Sequence, residues 1–310
     1  MKVNTRVPHL ACLASFTLFA LSTPAQNQAI QLPANIHPLP TVANARESTP
    51  ASGKTQQEEA KSDGVSSDAT TSCAYTFTTG SGPTYMKFCV TVNGNITQFE
   101  SPAGNEQINV QKVGEGYGLC ALNLTTGNAN SYWDYGETAS TNWGPPTLLS
   151  LTATEVKIER TTSDGNWTLT QTITQIGGSL PYAKVEMQLK YNSATPNVAP
   201  FFVRWVNVDA SDTTRNNLDY TAYSAWGYVH LAYGLMMQGV SPGASFLFSG
   251  ITFDTPSPAE SGLTSAICNE GSGTGGPFTN TDGSMALAYG GLLSTPKDYV
   301  YTMTFKYKAY

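Results

Sequence analysis

The chain has 310 residues, only 12% of them charged, with 16 Lys or Arg against 22 Asp or Glu and a net charge of −6. No basic run occurs anywhere, which argues against nucleic acid or an anionic membrane surface as partner. Three histidines in all, His9, His37 and His230, exclude a multi-histidine zinc centre inside the folded part.

Residues 1–25 read as an export signal. Lys2 and Arg6 supply a basic start, Leu10 to Leu21 an apolar run, and Thr23-Pro24-Ala25 a small-residue exit before Gln26. The run is too short to span a bilayer, and no later stretch approaches the roughly 20 apolar residues that a membrane helix needs. Cys12 lies inside this run rather than after it, unlike the acylated cysteine of a lipoprotein signal. Residues 26–72 contain no Phe, Trp or Tyr and include the tract Gln56-Gln57-Glu58-Glu59. Such a segment buries too little apolar surface to offset its ordering entropy, so it is expected to be a disordered polar tether. His9 leaves with the signal and His37 falls in the tether. The folded part is expected at 73–310, as one β-sandwich domain.

Strand signals open that part. Cys73 to Phe77 and Thr84 to Cys89 flank Gly80-Ser81-Gly82-Pro83, and a hairpin centred on Ser81 sets Cys73 opposite Cys89. Four cysteines remain after signal removal, an even count in an oxidising compartment, so two disulfides are expected: Cys73–Cys89, and by elimination Cys120–Cys268. Met86 to Val92 and Ile96 to Phe99 surround Asn93-Gly94, a turn signal.

Tyr132-Trp133-Asp134-Tyr135-Gly136-Glu137 and Asn142-Trp143-Gly144-Pro145-Pro146 read as loops rich in large aromatics. Aromatic faces bind the apolar CH faces of sugars while carboxylates take hydroxyls in the plane, so Tyr132, Trp133, Tyr135 and Trp143 are candidate ligand contacts. The alternative is that these rings plug one end of the sandwich.

Glu155 to Arg160, Trp167 to Ile176 and Tyr182 to Tyr191 follow as an antiparallel meander, with the turns at Ser163-Asp164-Gly165-Asn166 and Gly177-Gly178. In the third strand Ala183, Val185, Met187, Leu189 and Tyr191 alternate with polar residues, and in the second Thr168, Thr170, Thr172 and Thr174 share one side. Pro200 to Asp209 is apolar on both faces apart from Arg204.

Asp209, Asp212, Asn216, Asn217 and Asp219 offer the oxygen density that suits Ca²⁺, without the glycine and terminal glutamate of an EF-hand. Tyr220, Tyr223 and Trp226 lie next to them as further ligand candidates, and His230 follows as a lone histidine in an aromatic stretch. Ala225 to Val240 reads either as a glycine-weakened helix or as strand. Gly239-Val-Ser241-Pro242-Gly243 matches G-x-S-x-G, but Pro242 lacks the N–H that the oxyanion hole requires, so Ser241 is expected in a turn. Gly271-Ser-Gly273-Thr-Gly-Gly276 precedes Pro277 rather than a helix and is expected to be a loop. Tyr299 to Tyr307 closes the chain as a strand with Tyr299, Tyr301, Met303, Phe305 and Tyr307 on one face.

Strands without intervening helices give an all-β fold, a large antiparallel multi-stranded β-sandwich of supersandwich-like extent; an outer-membrane barrel is the rival. Three functions fit. The first is a non-catalytic module that binds carbohydrate or another surface polymer and needs no cofactor apart from an optional Ca²⁺. The second is a carbohydrate-active hydrolase, lyase or epimerase drawing paired carboxylates from Asp134, Glu137, Asp209, Asp212 and Asp219. The third is a structural or adhesive surface protein with a flat, threonine-rich face. A shared ligand site predicts that Trp133 or Trp143 lies within reach of the Asp209–Trp226 stretch.

Overall fold

The computed structural model describes residues 73–108, 114–135, 139–210, 215–221, 224–229, 233–242, 248–254, 277–281 and 283–309. Among them are β1 (Tyr75–Thr79), β2 (Met86–Val90), β3 (Ile96–Glu100), β4 (Glu115–Asn123), β5 (Ala129–Tyr135) and β6 (Ala139–Thr141). Then come β7 (Thr147–Leu151), β8 (Glu155–Thr161), β9 (Trp167–Ile176), β10 (Tyr182–Tyr191), β11 (Val198–Asn207) and β12 (Asn216–Thr221). The last are β13 (Ser224–Val229), β14 (Tyr233–Pro242), β15 (Phe248–Asp254), β16 (Phe278–Thr281), β17 (Ser284–Gly290) and β18 (Val300–Ala309). No α-helix occurs among the described residues, and so none there is long and apolar enough to cross a membrane.

Two large antiparallel sheets form a β-sandwich. One has nine strands in the order β16-β12-β13-β14-β18-β10-β9-β8-β7, the other six in the order β15-β17-β11-β4-β5-β6. Both end in edge strands, so the described strands form open sheets. The β8-β9-β10 meander is present, and the period-two faces fall as the residues dictate. Ala183, Val185, Met187, Leu189 and Tyr191 are buried, as are Tyr301, Met303, Phe305 and Tyr307 on the neighbouring strand. The threonines of β9 face outward and are half-buried. Tyr299 is also only half-buried, because it precedes the strand.

The described residues between Ala225 and Val240 form two strands, β13 and β14, as glycine is costly inside a helix. Ser241 sits in β14, beside a bulge against β18, and is not a turn residue. His230 and residues 271–276 lie outside the described residues.

A third sheet, β1-β2-β3, closes part of the interior. The disulfide Cys73–Cys89 is present, with a Cα–Cα distance of 5.4 Å. The register is not the expected one: Thr76, not Cys73, stands opposite Cys89. The short 3₁₀ turn at Gly82–Thr84 moves the hairpin centre towards Pro83 and lets Cys73 reach across from just before β1. Cys120 is also disulfide-bonded; Cys268 lies outside the described residues. Phe77, Phe88 and Phe99 of this small sheet stack in sequence and join the core formed by the two large sheets.

The β2–β3 turn carries the small sheet's most consequential residues. Thr91 O accepts from Gly94 N at 3.1 Å, and the Thr91 hydroxyl accepts from the backbone N–H groups of Asn93 and Asn95. Gly94 has φ +91°, and a Cβ there would stand 2.4 Å from Gln171 Nε2. Asn93, Gly94 and Asn95 are buried and bonded from both large sheets (below). Gly94→Ala therefore combines a left-handed backbone with displacement of a bonded side chain. It should cost about 1–3 kcal/mol in chemical denaturation, with little change in the cooperativity of unfolding.

Candidate functional site

Asp134, the first of the expected site carboxylates in chain order, lies in the interior, at 0% exposure. Because β5 is a strand and not a loop, its side chains alternate: Tyr132 and Asp134 point between the sheets, Trp133 and Tyr135 away from them. Asp134 pairs with Arg160 of β8 and accepts from Asn93 Nδ2 at 3.2 Å and from Asn95 Nδ2. Arg160 also donates to the Tyr117 hydroxyl at 3.1 Å, to Ser140 Oγ at 3.0 Å and to Gly144 O.

A second pair, which sequence reasoning missed, lies beside the same turn. Glu115 of β4 pairs with Arg204 of β11, and accepts from Ile96 N and Tyr307 OH at 2.7 Å each. Arg204 further donates to Gln171 Oε1 at 2.8 Å and Gly94 O at 3.2 Å. Gln171 and Tyr117 both donate to Asn93 O. Burial pushes both the Asp134 and Glu115 carboxyls above the ordinary range, while Arg160 and Arg204 pull against it. The available signal was Arg204 inside an apolar strand and Gln171 on a buried face: a charge or amide placed there must find a partner.

The aromatic candidates separate accordingly. Trp143 is 8% exposed, set edge-on to Tyr117 with centroids 5.7 Å apart and lying under the Arg160 guanidinium. It fills the core. Tyr132 is buried and donates to Asp164 Oδ2 at 2.6 Å. Both rings belong to the core. Glu137 lies outside the described residues.

Trp133 and Tyr135 remain half-buried on the outward face of the six-stranded sheet, stacked with centroids 5.1 Å apart and planes 15° from parallel. Across β4 their neighbours are Gly118 and Gly116, and across β11 Val203 and Trp205. A Cβ on Gly116 would come within 2.5 Å of the Trp205 ring and 2.8 Å of Tyr135 Cβ. The glycine thus lets the Trp205 ring lie down beside Tyr135. On the same face Trp205 Nε1, Asn207 Oδ1 and Ser284 Oγ are buried with no hydrogen-bond partner among the described residues. A buried polar group left unpaired costs about 1–3 kcal/mol.

Within the Asp209–Trp226 stretch, Trp226 does not join this face. Trp226 is buried on the outward side of the other sheet, opposite Asp219 and Met236. Trp133, Trp143 and Trp226 therefore occupy one outer face, the interior and the outer face of the other sheet, and these three tryptophans do not share a site. Asn216 faces inward, donating to Val208 O at 2.6 Å and accepting from Ala210 N. Asn217, next along the strand, projects to the other side and accepts from Asn280 N. The two cannot ligate one ion together. Asp209 is buried, Asp219 half-buried and Tyr220 exposed; Asp212 and Tyr223 lie outside the described residues. Among the described residues no group of three or more His, Cys, Asp or Glu is placed to hold a metal ion.

No family model matches the chain, and no curated protein matches it in sequence. Among solved structures it is similar to a bacterial glucoamylase complexed with acarbose, at TM-score 0.49 and 8% identity, over 77% of this chain and 32% of that one. It is also similar to a putative aldose 1-epimerase from Escherichia coli K12, at TM-score 0.43 and 8% identity, over 76% of this chain and 99% of that one. The chain spans about a third of the length of the glucoamylase. Resemblance at this level assigns no residue role and no activity.

The interior can be probed at two carboxylates. Asp134→Ala leaves Arg160 buried without its counter-charge and should cost about 3–5 kcal/mol in denaturant unfolding, while replacing both by apolar residues should cost less. At Asp164, burial pushes the carboxyl up, but hydrogen bonds from Thr162, Tyr132 and Asn166 outweigh this and hold it below the ordinary range. A depressed folded pKa contributes stability above the unfolded value, roughly 3.9, that is lost as pH falls through the folded value. Thermal melts should show Asp164→Asn less stable than wild type at neutral pH, with the gap closing below about pH 4.

Proposed function

We propose that this is an exported, non-catalytic binding module that recognises carbohydrate with the Trp133–Tyr135 pair. The observation that carries the reading is the stack of two half-buried rings on an outward sheet face. Strand residues hold rings more rigidly than loops do, so little freedom is lost on binding, and aromatic faces match the CH faces of sugar rings. The non-catalytic half of the reading rests on Asp134 and Glu115, whose carboxylates are enclosed and bonded to arginines, out of reach of an external glycosidic bond. The disulfide Cys73–Cys89 suits an oxidising compartment, in keeping with residues 1–25 acting as an export signal and 26–72 as the tether.

A second reading, a structural or adhesive role, is favoured by the outward threonines of β9, of which Thr170 and Thr174 donate to Glu159 and Glu155 on β8. Polysaccharide pull-down with the full exported chain separates the two. Wild type should bind at least one polysaccharide, with Trp133→Ala and Tyr135→Ala each weakening it about tenfold, the size of one lost ring contact. Absence of wild-type binding across the panel would sink the carbohydrate reading.

A further inference from the structure

We infer that the outward face of the nine-stranded sheet carries an anion site, formed by Lys184, Lys306 and Lys308, which takes a single sulfate or phosphate group. The site stands apart from the Trp133–Tyr135 reading, since that pair lies on the other sheet.

Register assembles it from distant parts of the chain. Lys184 of β10 stands directly opposite Lys306 of β18, and Lys308 follows two residues on, on the same face. Gln238 of β14 stands opposite Lys306 on its other side. The Lys306 ammonium lies 4.9 Å from the centroid of the Tyr182 ring, which holds it over the sheet. All three lysines are half-buried, and the Lys184 side chain keeps 29% of its surface exposed. The ammonium groups are therefore open to a solute.

Charge is unbalanced at this place. Like charges directly opposite one another on a sheet are destabilising. Burial, and then the Lys306 charge, pulls the Lys308 ammonium below its ordinary value. Among the described residues Glu186 pairs with Lys184 at 2.9 Å, and no carboxylate pairs with Lys306. Glu155 and Glu159 lie on β8, two strands from β10, and accept from Thr174 and Thr170. Asp219 of β12 is separated from β18 by β13 and β14.

An anion among the three ammonium groups turns their repulsion into attraction. Lysine is a compact point charge without the planar fork with which arginine matches a carboxylate. Three such charges on separate stems suit acceptor oxygens that point in several directions, as those of a tetrahedral sulfate or phosphate do. Gln238 adds a neutral amide donor on the same face. The chain's net charge of −6 opposes a longer polyanion, so the site is one group wide.

Thermal melts of the full chain in sodium phosphate, against sodium chloride of equal ionic strength, test this. With a dissociation constant of about 1 mM, as half-exposed charges allow, ~20 mM phosphate should raise the wild-type melting temperature by about 4–7 °C. Excluded anions also stabilise proteins generally, so the variants carry the test. The rise should fall by at least half in Lys306→Gln and in Lys184→Gln, and stay as in wild type in Lys157→Gln, a lysine of the same sheet outside the site. Glucose 6-phosphate against inorganic phosphate separates the sources: tighter binding of the ester places the group on a sugar, and equal binding makes the free anion the ligand. The site is overturned if wild type and both site variants gain equally from phosphate, which leaves anion exclusion alone. It is also overturned if dextran sulfate binds more than tenfold tighter per sulfate group than inorganic sulfate, which makes the face a polyanion surface. Polysaccharide binding sensitive to Trp133→Ala is untouched by either result.

Discussion

The Asn93-Gly94-Asn95 turn, held between the sheets by two carboxylate–arginine pairs, is the constraint on which the rest of the sandwich depends. Asp134 and Arg160 come from different sheets, and so do the Glu115 and Tyr307 partners that hold the other side. Each pair closes on backbone or amide groups of the turn, so the third sheet cannot shift without breaking bonds to both of the others. Buried ion pairs add little net stability over apolar packing of the same volume, but they are costly to separate. Their effect is to select one arrangement. The geometry of Gly94 matters for the same reason, since Gln171 approaches it too closely for any side chain.

This interior has a consequence for function. The most chemically capable side chains of the described residues, two carboxylates, two arginines and two tyrosines, are spent on one another. What remains for a partner is outside, and there the two sheets differ. The nine-stranded sheet presents threonines and alternating charges along β8 to β10, a surface that water satisfies. The six-stranded sheet presents rings over a floor of glycine and alanine, together with polar atoms that none of the described residues satisfies. Solvation favours leaving the first face to water.

Much of the architecture can be read directly. Alternation in Tyr182 to Tyr191 reports one buried and one wet face because side chains on a strand project with a period of two. The β8-β9-β10 meander follows from its turn residues. Legibility fails where glycine and proline are read as loop. Tyr132 to Tyr135 is bounded by such residues yet pairs fully with β4, and once it is a strand its aromatics divide between two faces. The same division separates Asn216 from Asn217. Trp143 is the hardest case: a tryptophan among glycine and prolines carries no sign of whether it faces water or Tyr117.

The residues alone determined the all-β class, the Cys73–Cys89 pairing and which strand faces are apolar, because these depend on local periodicity and on short-range reach. Tertiary structure decided which of those faces meet, and with that the role of every polar candidate. Asp134 is structural because Arg160, 26 positions away, arrives from the other sheet; Trp133 faces outward because its neighbour faces in. Burial of a charge is settled by partners distant in sequence, and no local pattern encodes the meeting of two strands across a core.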